Sequence, residues 1–158
     1  MMPYAPGIIV RRGSLVFLSG VTAAAVYHSH PHREEEFDLP ATMREQAVVA
    51  MENLKKTLEA AGCTLSDLVW ATRYLTDADE QDDLNRVWAR YLGGHLPTTT
   101  TVEVSRLATH RRCKLEISAI AVRAAGRPRS HRRRAPEASE RRKSDVGLGR
   151  PRRRARKA

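Results

Sequence analysis

The chain has 158 residues, a formal net charge of +10 and 41% hydrophobic residues, a length at which one domain is expected. The charge is uneven: residues 124–158 hold 14 Lys and Arg against 3 acids, whereas residues 1–123 hold 14 basic and 15 acidic side chains. The high pI is therefore a property of the tail and excludes nothing but a basic nucleic-acid surface on the nearly neutral remainder.

Two cysteines, Cys63 and Cys113, are too few for a disulfide framework, and no apolar run of about 18 residues or secretory leader is present. A soluble, reduced, cytoplasmic protein with no membrane partner is expected. In chain order, Ile8-Ile9-Val10 and Leu15-Val16-Phe17-Leu18 flank Arg11-Arg12-Gly13-Ser14, a pattern that predicts a β-hairpin. The second run ends in Ser19-Gly20, where a hydroxyl and a closely approachable backbone can meet a ligand or simply end a strand.

The segment 26–36 is polar and irregular. His28, His30 and His32 alternate there beside Glu34, Glu35 and Glu36, the ingredients of a zinc or nickel site. Pro31 separates two of the imidazoles and no helical spacing supports them, so a solvated loop overhanging a pocket is expected, and no metal or other cofactor is assigned. Thr42 and Glu45 have capping-box spacing, and Ala47, Ala50, Leu54, Leu58 and Ala61 recur on one helical face until Gly62. A strand is predicted over 69–76. Its Val69, Ala71 and Leu75 parity is apolar except for Arg73, which must reach an interface carboxylate or serve a site, because an unpaired buried guanidinium is too costly to keep. A second helix runs from Asp79 through Leu84, Val87, Trp88, Tyr91 and Leu92 to Gly93-Gly94, with Trp88 in the core by its spacing.

Two alternating runs close the sequence, one from Thr99 to Val104 and one from Leu115 to Ala121. The connector between them suits a hairpin and is too short for a parallel crossover, so an antiparallel pair is predicted, with hydroxyls, Glu103 and Glu116 on its polar face. Strand, strand, helix, strand, helix, strand, strand makes an α+β domain with two helices on one face of a mixed sheet. The other face, half polar and uncovered by this chain, predicts a homo-oligomer. The tail 124–158, rich in Pro, Arg and Ser and poor in apolar residues, is expected to be disordered. It has no aromatic to stack on bases, so any nucleic-acid binding by it would be phosphate-directed and non-specific.

The order of Tyr4, Leu18-Ser19-Gly20, Glu52-Asn53-Leu54, Leu58-Glu59-Ala60-Ala61-Gly62, Tyr74-Leu75-Thr76-Asp77, Asn85-Arg86-Val87-Trp88, Pro97 with Val102-Glu103-Val104, and Leu115-Glu116-Ile117 resembles the RidA/YjgF/UK114 family. The resemblance covers residues 1–123. It implies a chorismate-mutase-like homotrimer with three clefts between subunits and hydrolysis of reactive enamines and imines. It carries the family's pocket positions to Tyr4, Ser19, Asn85, Thr101 and Glu116. The deaminating branch has an Arg two residues after the Pro to clamp the substrate carboxylate, and this chain has Thr99 there. A hydroxyl cannot replace the planar two-bond fork, so the usual 2-iminoacids are not the expected substrates.

Glu116 has the chemistry for imine hydrolysis, since one carboxylate can take a proton from water and deliver one to the leaving nitrogen. The competing reading makes it interface glue, paired with Arg73 or Arg106 of a neighbour. At the level of function, the alternatives to a hydrolase are a metabolite-binding trimer without turnover and an RNA-binding, translation-inhibitor-type protein acting through its tail.

Overall fold

The computed structural model describes residues 4–29 and 31–126. His30 and the basic segment from residue 127 onward lie outside them. Four strands and two helices make up the domain in the order β1 (Ser14–Val21), α1 (Met43–Ala60), β2 (Leu68–Leu75), α2 (Gln81–Leu92), β3 (Thr98–Glu103) and β4 (Leu115–Arg123), with short 3-10 turns at Glu34–Glu36, Leu65–Asp67 and Ala78–Glu80.

The helices form where local chemistry places their ends. Thr42 and Glu45 make the predicted capping box at the start of α1, each satisfying a backbone donor that the first turn would otherwise leave open. Gly93 ends α2 in the left-handed conformation at φ 57°, which a residue without Cβ adopts at no steric cost. Glu103 stabilises the entry to α2, because its carboxylate accepts from the Ala78 amide at 2.8 Å.

Strand order across the sheet is β1-β4-β2-β3. β4 runs antiparallel to both β1 and β2, and β2 runs parallel to β3 with α2 as the crossover. This corrects the predicted pairing of the two last strands. They do run in opposite directions, but β2 lies between them. A connector of this length spans two strand spacings of about 4.8 Å as readily as one, so its length could not decide adjacency.

The first predicted hairpin is also corrected. Ile8, Ile9 and Val10 form no strand and are exposed, Ile9 to 81%. β1 gives one edge to β4, and the turn before it, at Gly13 with φ 109°, packs against Val122 and Arg123 of β4. A three-residue run is too short to hold a ladder on the opposite edge alone.

The core lies between the sheet and the helices. Leu115, Ile117, Ala119 and Ala121 of β4 are buried with Ala71 and Leu75 of β2 against Ala47, Ala50, Leu54 and Leu58 of α1 and Leu84, Val87 and Trp88 of α2. The alternate residues Glu116, Ser118, Ile120 and Val122 are partly exposed on the opposite face. Neighbouring Leu15 and Phe17 of β1 are 53% and 72% exposed on that face. A sheet face carrying this much apolar surface has no covering layer among the described residues.

Two buried amides hold loops onto this frame. Gln46 donates to the carbonyls of Pro40 and Arg112 and accepts from the Lys114 amide. Asn53 donates to the carbonyls of Thr22 and Ala24 at 3.0 and 2.8 Å. Removing such a donor leaves buried acceptors unmet, at a cost of about 1 to 3 kcal/mol. Asn53→Ala is therefore expected to lower the urea midpoint by that free energy with an unchanged m-value, while Lys56→Ala, an exposed change one turn along α1, is expected to stay near the wild-type midpoint.

Candidate functional site

Glu116 sits on the open face of β4, paired with Tyr74 of β2. On its other side β1 is irregular. Leu18 pairs with Ala119 and Val21 with Ile117, so Ser19 and Gly20 together oppose the single residue Ser118. This bulge turns the backbone of β1 toward β4. It also explains the glycine, because a Cβ at Gly20 would overlap the Glu116 carboxylate. The carboxylate thus rests directly against the Ser19-Gly20 main chain. It makes no ion pair and no side-chain hydrogen bond among the described residues. Cys113 lies close by and is buried; burial pushes its thiol up, and the Glu116 charge adds to that.

A second group is built on the other face. Arg73 has the parity of Ala71 and Leu75 and pairs with Ile117 of β4 and Thr101 of β3. Its Nε and Nη2 donate to Thr101 Oγ1 at 3.0 and 2.6 Å, and its Nη1 donates to Asn85 Oδ1 at 2.9 Å. The guanidinium lies 5.3 Å from the centre of the Trp88 ring, which α2 presents one turn beyond Asn85. Burial alone pulls the Arg73 pKa down to about 10, leaving it charged at neutral pH.

Thr99 is one pair earlier on β3, opposite Ala71. Tyr4 is half-buried near the same edge, where the amide of Ala5 donates to the Pro97 carbonyl at 3.3 Å.

The residues singled out from the sequence therefore divide. Ser19 and Glu116 belong to the β1–β4 side of the open face. Arg73, Asn85, Thr99, Thr101 and Tyr4 belong to the β2–β3 side, with Arg73 and Thr101 facing the helices. Placing Thr101 and Glu103 on one polar face with Glu116 is corrected by this register: Glu103 shares the parity of Arg73 and is engaged at the Ala78 amide. What sequence reasoning missed is that Arg73 engages both Asn85 and Thr101. The available signal was an Arg at an otherwise apolar parity of a strand, followed by Asn and Trp three apart on the next helix.

The histidines are organised by an aromatic side chain. Phe37, 1% exposed, is stacked on His110 with ring centres 4.6 Å apart and is in contact with His28 and His32. His110 is within 3.0 Å of Glu34, whose carboxyl this contact holds below its usual range. The segment 24–28 that this cluster anchors does overhang a cavity of about 420 Å³, which reaches Ser19 and Gly20 on one side and Asn53 and Thr57 of α1 on the other.

Comparison with known proteins follows the same division of the chain. The family described as Endoribonuclease L-PSP matches residues 1–123. TdcF of Escherichia coli K12, named for reactive intermediate deamination, is 34% identical over 126 residues, covering 78% of this chain and 88% of that protein. The protein DfrA of Myxococcus xanthus is 38% identical over 127 residues, covering 76% and 85%. Among solved structures, E. coli TdcF with bound serine superposes with a TM-score of 0.59 at 32% identity, over 78% of this chain and 97% of that one. A Mycobacterium tuberculosis member of the YjgF/YER057c/UK114 family superposes with a TM-score of 0.56 at 28% identity, over 71% and 81%.

The close approach at Gly20 is testable. Gly20→Ala must displace the Glu116 carboxylate, because a Cβ there overlaps it. The Cys113 thiol should respond, since it loses a neighbouring negative charge that raises its pKa. In a Cys63→Ser background, a pH titration of thiolate absorbance is expected to give a lower Cys113 pKa in Gly20→Ala than with Gly20 in place, and an unchanged pKa would count against displacement of the carboxylate.

Proposed function

The chain belongs to the Endoribonuclease L-PSP family, and we propose that within it this protein is a RidA-type hydrolase of reactive enamines or imines, working in clefts between the copies of a homotrimer. The observation that carries this reading is the Glu116 carboxylate, unpaired among the described residues and set against the Ser19-Gly20 bulge. The division of the candidate residues between two faces supports the assembly. One copy cannot bring Glu116 to Thr101 and Asn85, whereas a neighbour covering the apolar open face can.

The chemistry needs few groups. Water adds to the carbon of the C=N bond while Glu116 takes one of its protons. The same carboxyl then delivers that proton to the nitrogen, giving a carbinolamine; it next takes the carbinolamine hydroxyl proton and passes it to the same nitrogen, so that ammonia departs and a carbonyl remains. The Ser19 hydroxyl and the main chain at the bulge orient the water. No residue at position 99 fixes an α-carboxylate, and the loss of such a charge-assisted contact costs about 2 to 5 kcal/mol, or roughly one and a half to three and a half decades of affinity. The favoured substrate is thus a reactive small metabolite other than the common 2-iminoacids. The nearly balanced charge of residues 1–123 gives no net basic surface for RNA, so nucleic-acid binding, if present, resides in 124–158. With about ten phosphates neutralised, its log-log salt slope is expected near −7 on single strands, and it should vanish with the tail.

Three measurements test the reading. Sedimentation velocity should give the mass of three copies. Glu116→Gln keeps size but cannot accept the proton, so turnover should drop at least about a hundredfold with assembly intact; a dissociated variant would instead identify Glu116 as interface glue. In an amino-acid oxidase assay with semicarbazide competition, the wild type should be weak on 2-iminoacids and Thr99→Arg stronger, with the gain mainly in KM if the new contact is made equally to substrate and transition state.

A further inference from the structure

Arg73 is 4% exposed and has no acid within 4 Å among the described residues. Its neighbours are neutral: two side-chain oxygens and an indole face. Those contacts satisfy hydrogen-bonding geometry without cancelling the charge, and a buried cation without a counter-charge is among the least favourable things a fold can keep. The guanidinium has five N–H groups in a fixed fork, of which three are engaged among the described residues. Thr101 and Asn85, which lie against it, are both partly exposed, one on edge strand β3 and the other on α2. With Asn85 Oδ1 already taken by Arg73, the amide nitrogen of that side chain has no partner among the described residues.

We propose that Arg73, with Asn85, is the group that recognises a small carboxylate on the substrate. This deepens the reading of the site as a metabolite cleft and rests on it. The position is specific to the register. Arg73 lies opposite Thr101 rather than Thr99, two residues along β3, or about 6.6 Å at the usual strand rise. A carboxylate held there stands at a different spacing from the reacting carbon than one held at position 99. That accounts together for the Thr at 99 and for the retained buried charge: the anion-reading function is displaced along the strand, and the preferred substrate is a carboxylate-bearing imine or enamine whose acid group is offset from that of an α-iminoacid.

The protein contains its own probe. It has two tryptophans, and Trp88 is the one beneath the guanidinium, so a full-length chain carrying Trp70→Phe reports on this place alone. Titration with butyrate should change the Trp88 emission saturably, and butyramide, which has the same shape and no charge, should not. Arg73→Lys keeps the charge but loses the fork and is expected to weaken butyrate about tenfold, while Arg73→Gln should abolish the response. Calorimetry on the unmodified chain gives the affinity independently of fluorescence.

A response equal for the two compounds, a butyrate affinity unchanged by Arg73→Lys, or no binding by either method would overturn the proposal. If Arg73→Gln does not fold, Arg73→Lys and the amide control still decide. Glu116→Gln separates this from the hydrolase reading: it should bind butyrate as the wild type does. Normal turnover in that variant would remove Glu116 from the catalytic step, absence of turnover in the wild type would remove the hydrolase, and either leaves the carboxylate site standing.

Discussion

The structure depends on the pleat of β4. It is one of the two interior strands, and its side chains alternate without interruption, so every odd-numbered residue from Leu115 to Ala121 goes into the helix-covered core. Glu116, Ser118 and Ile120 are thereby fixed on the open face. A shift of one residue would bury an acid and expose four apolar side chains, so the register is strongly specified. β2 inherits it through its pairing with β4, and β3 through its pairing with β2. The orientation of Glu116 away from the helices and of Arg73 toward them is one fact, not two.

The same register places two unlike electrostatic problems in one sheet. Glu116 is partly exposed and without an ion-pair or side-chain hydrogen-bond partner among the described residues. It needs a neighbour without a Cβ, which Gly20 provides, and a bulge that brings the neighbour close. Arg73 is cationic, buried and surrounded by neutral acceptors. Sheet interiors rarely retain either arrangement for packing alone, since an aliphatic side chain would fill the same volume at less cost. Their coexistence on opposite faces is understandable if the two faces are brought together by other copies of the chain.

Much of this was legible in the sequence where the determinants are local. The capping box of Thr42 and Glu45, the stop at Gly93 and the inward side of α2 follow from spacing within a turn or two. The parity of β4 and the odd placement of Arg73 were also readable. Strand adjacency was not, because the connector from β3 to β4 is compatible with either neighbour and nothing local says that β2 will enter between them. The Ile8-Ile9-Val10 run failed for a related reason: short apolar segments resemble strands, yet forming one requires a free edge and a face to bury. The family motifs supplied the candidate positions, but which of them share a face is a property of the pairing.

The position of β4 also has a consequence for how the chain reaches its fold. The strand that joins β1 to β2 is the last to be made, and the side chain that ties its approach to α1, Gln46, reaches across 66 and 68 positions to Arg112 and Lys114. Until residues 115–123 are available, β1 and the β2–β3 pair are separate pieces with open edges and half a core each. Contacts this distant in sequence close large loops before they yield stabilisation, which slows folding. Nascent chains that lack this strand expose precisely the surfaces on which chaperones and aggregates compete.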